Sequence, residues 1–361
     1  MRGHITQRTK GSWSISIYLG KEPITNKKKY KWYTVKGTKK EAEKFLIEKL
    51  NEIEKGIFVD SKNMTLEEYF NYWYEQCCIA KLSPTTYESY KRNIDKYIIR
   101  YLGNIKLANL LPLQLQSFYN TLSETLSNTT IIYIHRIMHR ALNQAMKWDL
   151  IVRNVSDNVE LPKKIKYQAT ILNSTQVAKL INVTKNTYIY IPVMIAISTG
   201  MRRGEILGLT WNNIDLKNFT LNVVQAVYPT KNGLTVLPPK TKTSIRKITI
   251  PPTLVKILTE YKKKSNSDYV CSLEDGTLIS PSSLNHKFKQ ILKDNNLPSI
   301  RFHDLRHSHA SLLLSQGVQA KVISERLGHS NINITMDLYS HIYEATNIEV
   351  ANNFDKFLKI S

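Results

Sequence analysis

The chain has 361 residues and 42% hydrophobic content, which is enough for two or three domains with their own cores and excludes a disordered polypeptide. Its 51 lysines and arginines against 29 acidic residues give a formal net charge of +22 and an isoelectric point near 9.7, so we expect a polyanion as partner. The three cysteines, two adjacent and one isolated, exclude a disulfide framework, match no zinc spacing and predict a reducing compartment.

The chain carries no sign of a membrane or export segment. Its longest apolar run, around Tyr188 to Ser198, is too short for a membrane span and predicts a buried helix. Its start, MRGHITQRTK, lacks the apolar core of a signal peptide. We therefore expect a soluble, cytoplasmic protein with no membrane partner.

The N-terminal residues are the most basic part of the chain. Residues 1–40 hold eleven lysines and arginines against the single acidic residue Glu22, interleaved with aromatic side chains, which favours nucleic-acid binding over a merely solvated surface. The stretch SWSISIYL alternates apolar and polar residues, and KYKWYTVK follows after the turn-like GKEPITNKK, which predicts a hairpin. Thr38 and Glu41 form a capping box before a helix that ends at Gly56.

Residues 64–162 show helical periodicity throughout, which predicts a domain of four or five helices. The start signals of these helices are Thr65 with Glu68, the pair Ser83-Pro84, and Ser127. The ending NVELPKKIKYQA combines a proline with a basic run and is typical of an exposed linker.

The rest of the chain is predicted to be helical with a β-sheet insertion. ILNSTQVAKLI opens it as a helix. The later stretch FTLNVVQAVYPTKNGLTVLPPKTKTSIRKITIP predicts a short antiparallel sheet with a hairpin turn at Lys231-Asn232-Gly233.

Four separated stretches of this last part carry side chains suited to phosphate chemistry. They are STGMRRGEILGLTW (198–211), PPKTKTSIRKITIP (238–251), RFHDLRHSHASLLL (301–314) and ERLGHSNINITMDLYSH (325–341). Each alone has an ordinary structural explanation, such as an ion pair between Arg202 and Glu205, a helix cap at His303 or a core position for Tyr339. Together they offer arginines, histidines and a lysine that can donate to phosphate oxygens, and a candidate tyrosine nucleophile.

Cleaving a phosphodiester without a metal needs groups that neutralise the charge on the non-bridging oxygens, an acid for the leaving oxygen and a nucleophile in line. Arginine suits the first task because its planar fork reaches two oxygens and stays charged. TGMRRGE, a lysine in a hairpin, HDLRH, LGH and a tyrosine ten residues after that last histidine occur in this order. In this set the chain resembles the tyrosine recombinases, in particular the integrases of phages and conjugative transposons, over roughly residues 170 to 345.

The resemblance implies a role for each matching residue. Tyr339 would be the nucleophile that joins a DNA 3′ phosphate, and Lys242 the acid for the leaving 5′ oxygen. Arg202, Arg306 and His329 would bind the scissile phosphate, His303 would be the general base on the tyrosine, and Glu205 would orient the arginine and histidine side chains from behind. His303 and Arg306, at i and i+3, are expected on one helix face, with His307 and His309 on other faces in structural roles.

The lysine remains open between two positions. PKTKTSIRK offers Lys240 and Lys242 two residues apart, on the same face of a strand. Lys242 is favoured because it aligns better with the hairpin lysine of the family when RKITIP is held in register.

The resemblance also implies the fold class: a multidomain protein, mainly α with small antiparallel β-sheets. Residues 1–60 would be an arm-type DNA-binding domain with a three-stranded sheet plus helix, residues 61–162 a helical core-binding domain, and residues 163–361 a mixed α/β catalytic domain. The tail of that domain, EATNIEVANNFDKFLKIS, would be exchanged between subunits, although its apolar spacing by itself is typical of a helix packed on its own domain.

The implied partners are double-stranded DNA at core and arm attachment sites, a homotetramer on DNA that passes through a Holliday junction, an excisionase and a host DNA-bending protein, at a bacterial nucleoid. No cofactor and no metal are expected. The phosphotyrosyl bond conserves the energy of the broken phosphodiester, so religation needs no ATP. The sequence also shows no Walker-type loop and no acidic cluster suited to magnesium.

Three rival functions have distinct tests. A zinc site from His303, His307, His309 and His329 would lack cysteine and leave the ordered motifs unexplained, and a metal assay tests it. A non-enzymatic DNA-binding regulator would form no covalent adduct with DNA. A type IB topoisomerase shares the cleavage chemistry, but it would relax DNA instead of exchanging strands.

Overall fold

A small sheet and one helix form the N-terminal region. The computed structural model describes residues 3–21, 28–54, 63–164, 170–239 and 244–328. The N-terminal elements are β1 (Gly3–Thr9), β2 (Ser12–Lys21), β3 (Lys28–Lys36) and α1 (Lys39–Glu54). The sheet is antiparallel in the order β1-β2-β3, with Ile15 of β2 opposite Tyr33 of β3. The residue pattern had predicted only the β2-β3 hairpin; β1 was expected from the resemblance alone.

One face of this sheet packs against α1. Ile15 and Ile17 lie two residues apart on the same face of β2 and are fully buried, together with Ala42 of α1. The predicted capping box is confirmed, because the Thr38 backbone N–H donates to Glu41 Oε2 at 2.7 Å and the Glu41 N–H donates to Thr38 Oγ1 at 3.4 Å.

Residues 63–164 are mainly helical. The elements are α2 (Leu66–Trp73) with a π-helical turn at Tyr74–Ile79, α3 (Pro84–Asn93) with a π-helical stretch at Ile94–Ile99 that leads into α4 (Arg100–Leu102), α5 (Pro112–Ser123) and α6 (Asn128–Lys147). The predicted starts are confirmed. Thr65 and Glu68 form a capping box, and Ser127 Oγ accepts a hydrogen bond from the Thr130 N–H.

The core of this helical region is built on α6. Its buried positions recur every three or four residues, as an amphipathic helix requires. They are Ile131, Ile134, Ile137, Met138, Ala141, Leu142 and Ala145. The periodicity that predicted a bundle of helices therefore also identifies the side chains that hold it together.

Residues 170–328 contain both helices and short strands. The elements are α7 (Ser174–Thr184), α8 (Tyr190–Thr199), α9 (Arg203–Leu207), β4 (Ile214–Asp215), β5 (Thr220–Val223), β6 (Ala226–Thr230), β7 (Gly233–Leu237), β8 (Arg246–Thr249), α10 (Pro252–Lys262), α11 (Pro281–Asp294), α12 (Asp304–Ser315) and α13 (Ala320–Leu327). The strands form a sheet in the order β4-β5-β8 and a separate β6-β7 hairpin, all antiparallel.

Two glycines shape this region. The predicted hairpin turn is confirmed, because Thr230 pairs with Gly233 and Gly233 has a φ of +101°. Gly200 ends α8 in the left-handed conformation, with a φ of +66°, and a Cβ there would lie 2.7 Å from Cδ2 of His309. A side chain at residue 200 would therefore have to displace the His309 ring on α12.

By its contacts the chain divides into two compact units, residues 1–80 with 91–163 and residues 81–90 with 164–361. The predicted fold class, mainly α with small antiparallel sheets, is confirmed. The domain boundaries inferred from the sequence stay a prediction. No helix in the described ranges is both long and apolar enough to span a membrane.

Candidate active site

Glu205 lies between two arginines that are far apart in sequence. Its Oε1 accepts from Arg202 Nη1 at 2.7 Å, and its Oε2 accepts from Arg246 Nη2 at 2.9 Å. The Arg202 backbone N–H also donates to Glu205 Oε2 at 2.9 Å, which caps the start of α9. The ion pair between Arg202 and Glu205, which the sequence offered as an ordinary structural explanation of these residues, is therefore present, and Arg246 joins it.

The two arginines keep the buried carboxylate of Glu205 ionised. The Glu205 side chain is 3% exposed, and this burial alone would raise its pKa. The hydrogen bond and charge of Arg246, together with the charge of Arg202, outweigh burial, so the pKa of Glu205 lies below its ordinary value. The trio therefore carries one negative and two positive charges at neutral pH.

Arg306 is held by backbone carbonyls. It lies in the first turn of α12 and is almost fully buried. Its Nη1 donates to the Gly200 carbonyl at 2.9 Å and to the Leu327 carbonyl at 2.8 Å. These bonds join α12 to the end of α8 and the end of α13.

The C-terminal turn of α13 receives three arginines on three consecutive carbonyls. Arg246 Nε donates to the Arg326 carbonyl at 2.8 Å, Arg306 donates to Leu327 and Arg202 Nη2 donates to the Gly328 carbonyl at 2.8 Å. The last carbonyls of a helix have no partner within the helix and form the negative end of its dipole. This helix end therefore gathers side chains from three of the four stretches singled out in the sequence.

A basic cleft of about 560 Å³ opens beside Arg202. The Arg202 side chain is 36% exposed and contributes to its wall. The lining residues are Arg202, Arg203, Gly204, Val227, Tyr228, Pro229, Asn285, Lys289, Arg301, Phe302 and His303. Arginine and lysine supply its charged groups, which matches a polyanionic ligand.

His303 lines this cleft, and its position differs from the prediction. It precedes α12 as the N-cap residue instead of standing within the helix. Desolvation of the ring by the surrounding protein, followed by the charges of Arg306, His307 and Arg301, lowers its pKa to about 4, so the ring is neutral at pH 7. The expectation that His307 faces elsewhere was wrong, because the two rings lie 5.7 Å apart at 89°. Residues four apart at a helix start share a face.

His309 has the structural role that was expected. Its Nδ1 contacts the Ile197 carbonyl at 2.7 Å, and its Nε2 accepts from Arg326 Nε at 3.2 Å. These two partners require a neutral ring protonated on Nδ1. Burial, followed by the charge of Arg326, lowers its pKa to about 4. With both nitrogens occupied, His309 does not match the zinc hypothesis, and the described part of the chain contains no group of three or more potential metal ligands.

Four predicted site residues and the tail lie outside the described residues. They are Lys240, Lys242, His329 and Tyr339, with the tail, residues 344–361. The structure therefore brings together Arg202, Glu205, His303 and Arg306. Sequence reasoning missed Arg246, although it lies in the RKITIP segment used to align the lysine.

Comparisons with known proteins match the chain to integrases and tyrosine recombinases. The family model "Phage integrase family" matches residues 170–346, and the model "Phage integrase, N-terminal SAM-like domain" matches residues 65–123. The chain is 29% identical to a tyrosine recombinase described as XerC-like from Caldanaerobacter subterraneus subsp. tengcongensis, over 84% of this chain and 86% of that protein. It is 28% identical to the ICEBs1 integrase of Bacillus subtilis, over 96% and 98%.

Solved structures share the fold. The Tn1549 transposon integrase in complex with transposon right end DNA has a TM-score of 0.71 at 20% identity, covering 80% of this chain and 99% of that one. A lambda integrase tetramer bound to a Holliday junction has a TM-score of 0.62 at 15% identity, covering 92% and 94%. The two family models together span well over half of the sequence. The chain therefore belongs to the phage integrase family and is a tyrosine recombinase, an enzyme of site-specific DNA integration.

Proposed function

We propose that the chain cuts and rejoins double-stranded DNA through Tyr339, to integrate and excise a prophage or a conjugative transposon. One observation carries the assignment of its active site. Arg202 and Arg306, from distant segments, donate to the Gly328 and Leu327 carbonyls at the end of α13. These two acceptors are the first two residues of LGH, and Tyr339 follows ten residues after His329 in the sequence. The same helix end thus supports both arginines and continues into the segment with the nucleophile.

In this mechanism the Tyr339 oxygen attacks the scissile phosphorus. A 3′-phosphotyrosine bond forms, the bond from phosphorus to the 5′ oxygen breaks, and the 5′ hydroxyl leaves. Arg202, Arg306 and His329 neutralise the charge on the non-bridging oxygens. The reverse reaction with a new 5′ hydroxyl rejoins the strand without ATP.

Two proton transfers accompany the cleavage. His303 takes the tyrosine proton, and Lys242 gives a proton to the leaving oxygen. The lowered pKa of His303 keeps its ring neutral and able to accept, and an anionic phosphate in the cleft would raise this pKa towards the working range. The cleft therefore supplies a base whose strength increases when DNA is bound.

Replacing Tyr339 by phenylalanine tests the nucleophile. The Tyr339→Phe variant loses one hydroxyl and should bind DNA like the wild type while forming no covalent complex with a nicked suicide duplex. That duplex would carry the attachment repeat found in the DNA that flanks the gene. Tyr343→Phe is the matched control and should form the complex normally. A phosphotyrosyl adduct on the Tyr339→Phe protein means that another tyrosine is the nucleophile.

The choice between the two lysines has its own test. A duplex with sulfur at the 5′-bridging position has a leaving group that needs no proton, so it should restore cleavage by the variant that lacks the acid. We expect rescue of Lys242→Ala. Rescue of Lys240→Ala without rescue of Lys242→Ala would reassign the acid to Lys240.

The N-terminal block is proposed to bind accessory DNA sites as a separate module. Its exposed side chains support this role, because Trp32 is 64% exposed on β3 and Arg8, Lys10 and Lys36 of the same N-terminal block are also exposed. Each neutralised phosphate contributes roughly −0.9 to the log–log salt slope of binding. Deleting residues 1–60 should flatten this slope and abolish arm-site binding, yet keep core-site cleavage. Unchanged arm-site binding refutes the module.

The proposed assembly is a tetramer on DNA at the bacterial nucleoid, with an excisionase and a host DNA-bending protein as accessory partners. The lambda integrase relative has been seen as a tetramer on a Holliday junction. We propose that residues 346–361 are exchanged between subunits in such a ring. Their removal should weaken synapsis and strand exchange while single-site binding persists. A truncated protein that simply unfolds would assign the tail to its own core.

A further inference from the structure

Arg246 contacts three separate parts of the chain. Its side chain is 7% exposed, and its guanidinium forms bonds to Glu205 Oε2 at 2.9 Å, to the Ser244 carbonyl at 2.9 Å and to the Arg326 carbonyl at 2.8 Å. A planar fork with five N–H donors can satisfy partners in several directions at once, and a lysine cannot. The residue therefore joins α9, the start of β8 and the end of α13 through one rigid group.

The contact with Glu205 affects Arg202 in two ways. Arg202 Nη1 donates to the same carboxylate at 2.7 Å, so Arg246 restricts the orientation of the group that orients Arg202. It also changes the charge balance. A pair of Arg202 with Glu205 alone would be neutral, whereas the trio with Arg246 keeps one net positive charge beside the cleft.

We propose that Arg246 is a positioning residue for DNA cleavage: it holds and partly neutralises the Glu205 carboxylate so that Arg202 presents its exposed edge and its charge to the scissile phosphate. This inference rests on the proposed function, because it takes Arg202 as a ligand of that phosphate. The hydrogen bond from Arg246 to the Arg326 carbonyl fixes Arg246 and Glu205 relative to the end of α13. Arg202 and Arg306 donate to carbonyls of the same helix end.

The test compares Arg246→Gln and Arg246→Lys with the control Lys247→Gln. Lys247 is the next residue on β8 and is exposed, so its variant removes a charge from the same strand without touching Glu205. Single-turnover cleavage would be measured at saturating protein on the suicide duplex, with DNA binding and thermal unfolding in parallel. We expect cleavage by Arg246→Gln to fall on the order of 100-fold, as displacement of a phosphate ligand by about 1 Å produces. Arg246→Lys should lose less, and Lys247→Gln should match the wild type.

A second substrate separates positioning from general stabilisation. A methylphosphonate at the scissile position carries no charge, so its cleavage depends much less on Arg202. On the methylphosphonate duplex, the ratio of the wild-type cleavage rate to that of Arg246→Gln should be about tenfold smaller than on the phosphate duplex. The corresponding ratio for Arg202→Gln should fall in the same way. An equal loss on both substrates, or no loss on either, overturns the proposal. Failure of both Arg246 variants to fold also overturns it, since the residue would then be structural.

The wild-type protein distinguishes this proposal from the proposed function. Absence of a covalent complex between the wild type and the suicide duplex would contradict the proposed function itself. A wild type that cleaves normally, alongside Arg246 variants that cleave equally well, contradicts only the role of Arg246.

Discussion

The helical region and the region with the candidate site bury different kinds of polar side chain. In residues 63–164 the described buried polar residues are neutral: Asn93, Asn154 and Ser156. In residues 170–328 they include the charged residues Glu205, Asp304 and Arg306. Burying a charge is costly unless it is paired and hydrogen-bonded, so the fold of this second region has to bring partners to each of these charges.

Glu205→Gln is expected to cause the largest loss of stability, and this loss should be confined to the region with the candidate site. The substitution leaves Arg246 buried without its counter-charge, which typically costs about 3–5 kcal/mol. We expect faster hydrogen exchange across α9 and β8 and loss of DNA cleavage. Glu75→Gln is the matched control, because Glu75 is exposed in the helical region. If both variants exchange alike, the buried trio is not a special source of stability.

A core truncation should affect the helical region instead. Leu142 is fully buried on α6, so Leu142→Ala removes apolar contacts and leaves a cavity, at a cost of about 3 kcal/mol. Hydrogen exchange in α6 should accelerate while α12 keeps its protection. Equal acceleration in α12 would mean that the two regions unfold as one.

The pH dependence of the second region follows from His309. Its pKa is lowered to about 4 in the folded chain, from about 6.5 when unfolded, so the unfolded state binds the extra proton as the pH falls between these values. Stability is therefore full above about pH 6.5 and is lost towards pH 4, by about 2 kcal/mol at pH 5 for this group alone. His309→Gln keeps a donor and an acceptor without titrating. This variant should lose less of its α12 protection from hydrogen exchange at pH 5 than the wild type does. An identical loss would mean that protonation of His309 is not the cause of the pH dependence.

The smallest expected effect concerns a helix start in the first region. Thr65→Ala removes the hydroxyl that accepts from the Glu68 N–H and should destabilise α2 by about 1 kcal/mol. Thr65→Ser keeps this acceptor and should restore most of the loss. The measurement is hydrogen exchange of the first turn of α2, and an unchanged rate in the alanine variant would show that the capping box contributes nothing.

Local and periodic features were predicted well. The capping boxes at Thr38 and Thr65 and the turn at Lys231-Asn232-Gly233 depend on residues close in sequence, and the buried face of α6 repeats with the helix period. The π-helical stretch at Ile94–Ile99 was not predicted, because one extra residue in a helical turn leaves the overall periodicity nearly unchanged.

The sequence by itself determined the family, the order of the phosphate-binding motifs and the residue types available for chemistry, because these depend on identity and spacing along the chain. Only the tertiary structure decided that Arg246 shares Glu205 with Arg202, that His307 lies beside His303, and that the last carbonyls of α13 receive three arginines. Such partners come from segments whose distance in space has no relation to their spacing in sequence. The direction of a guanidinium is set by the carbonyls and carboxylates that the folded chain places around it.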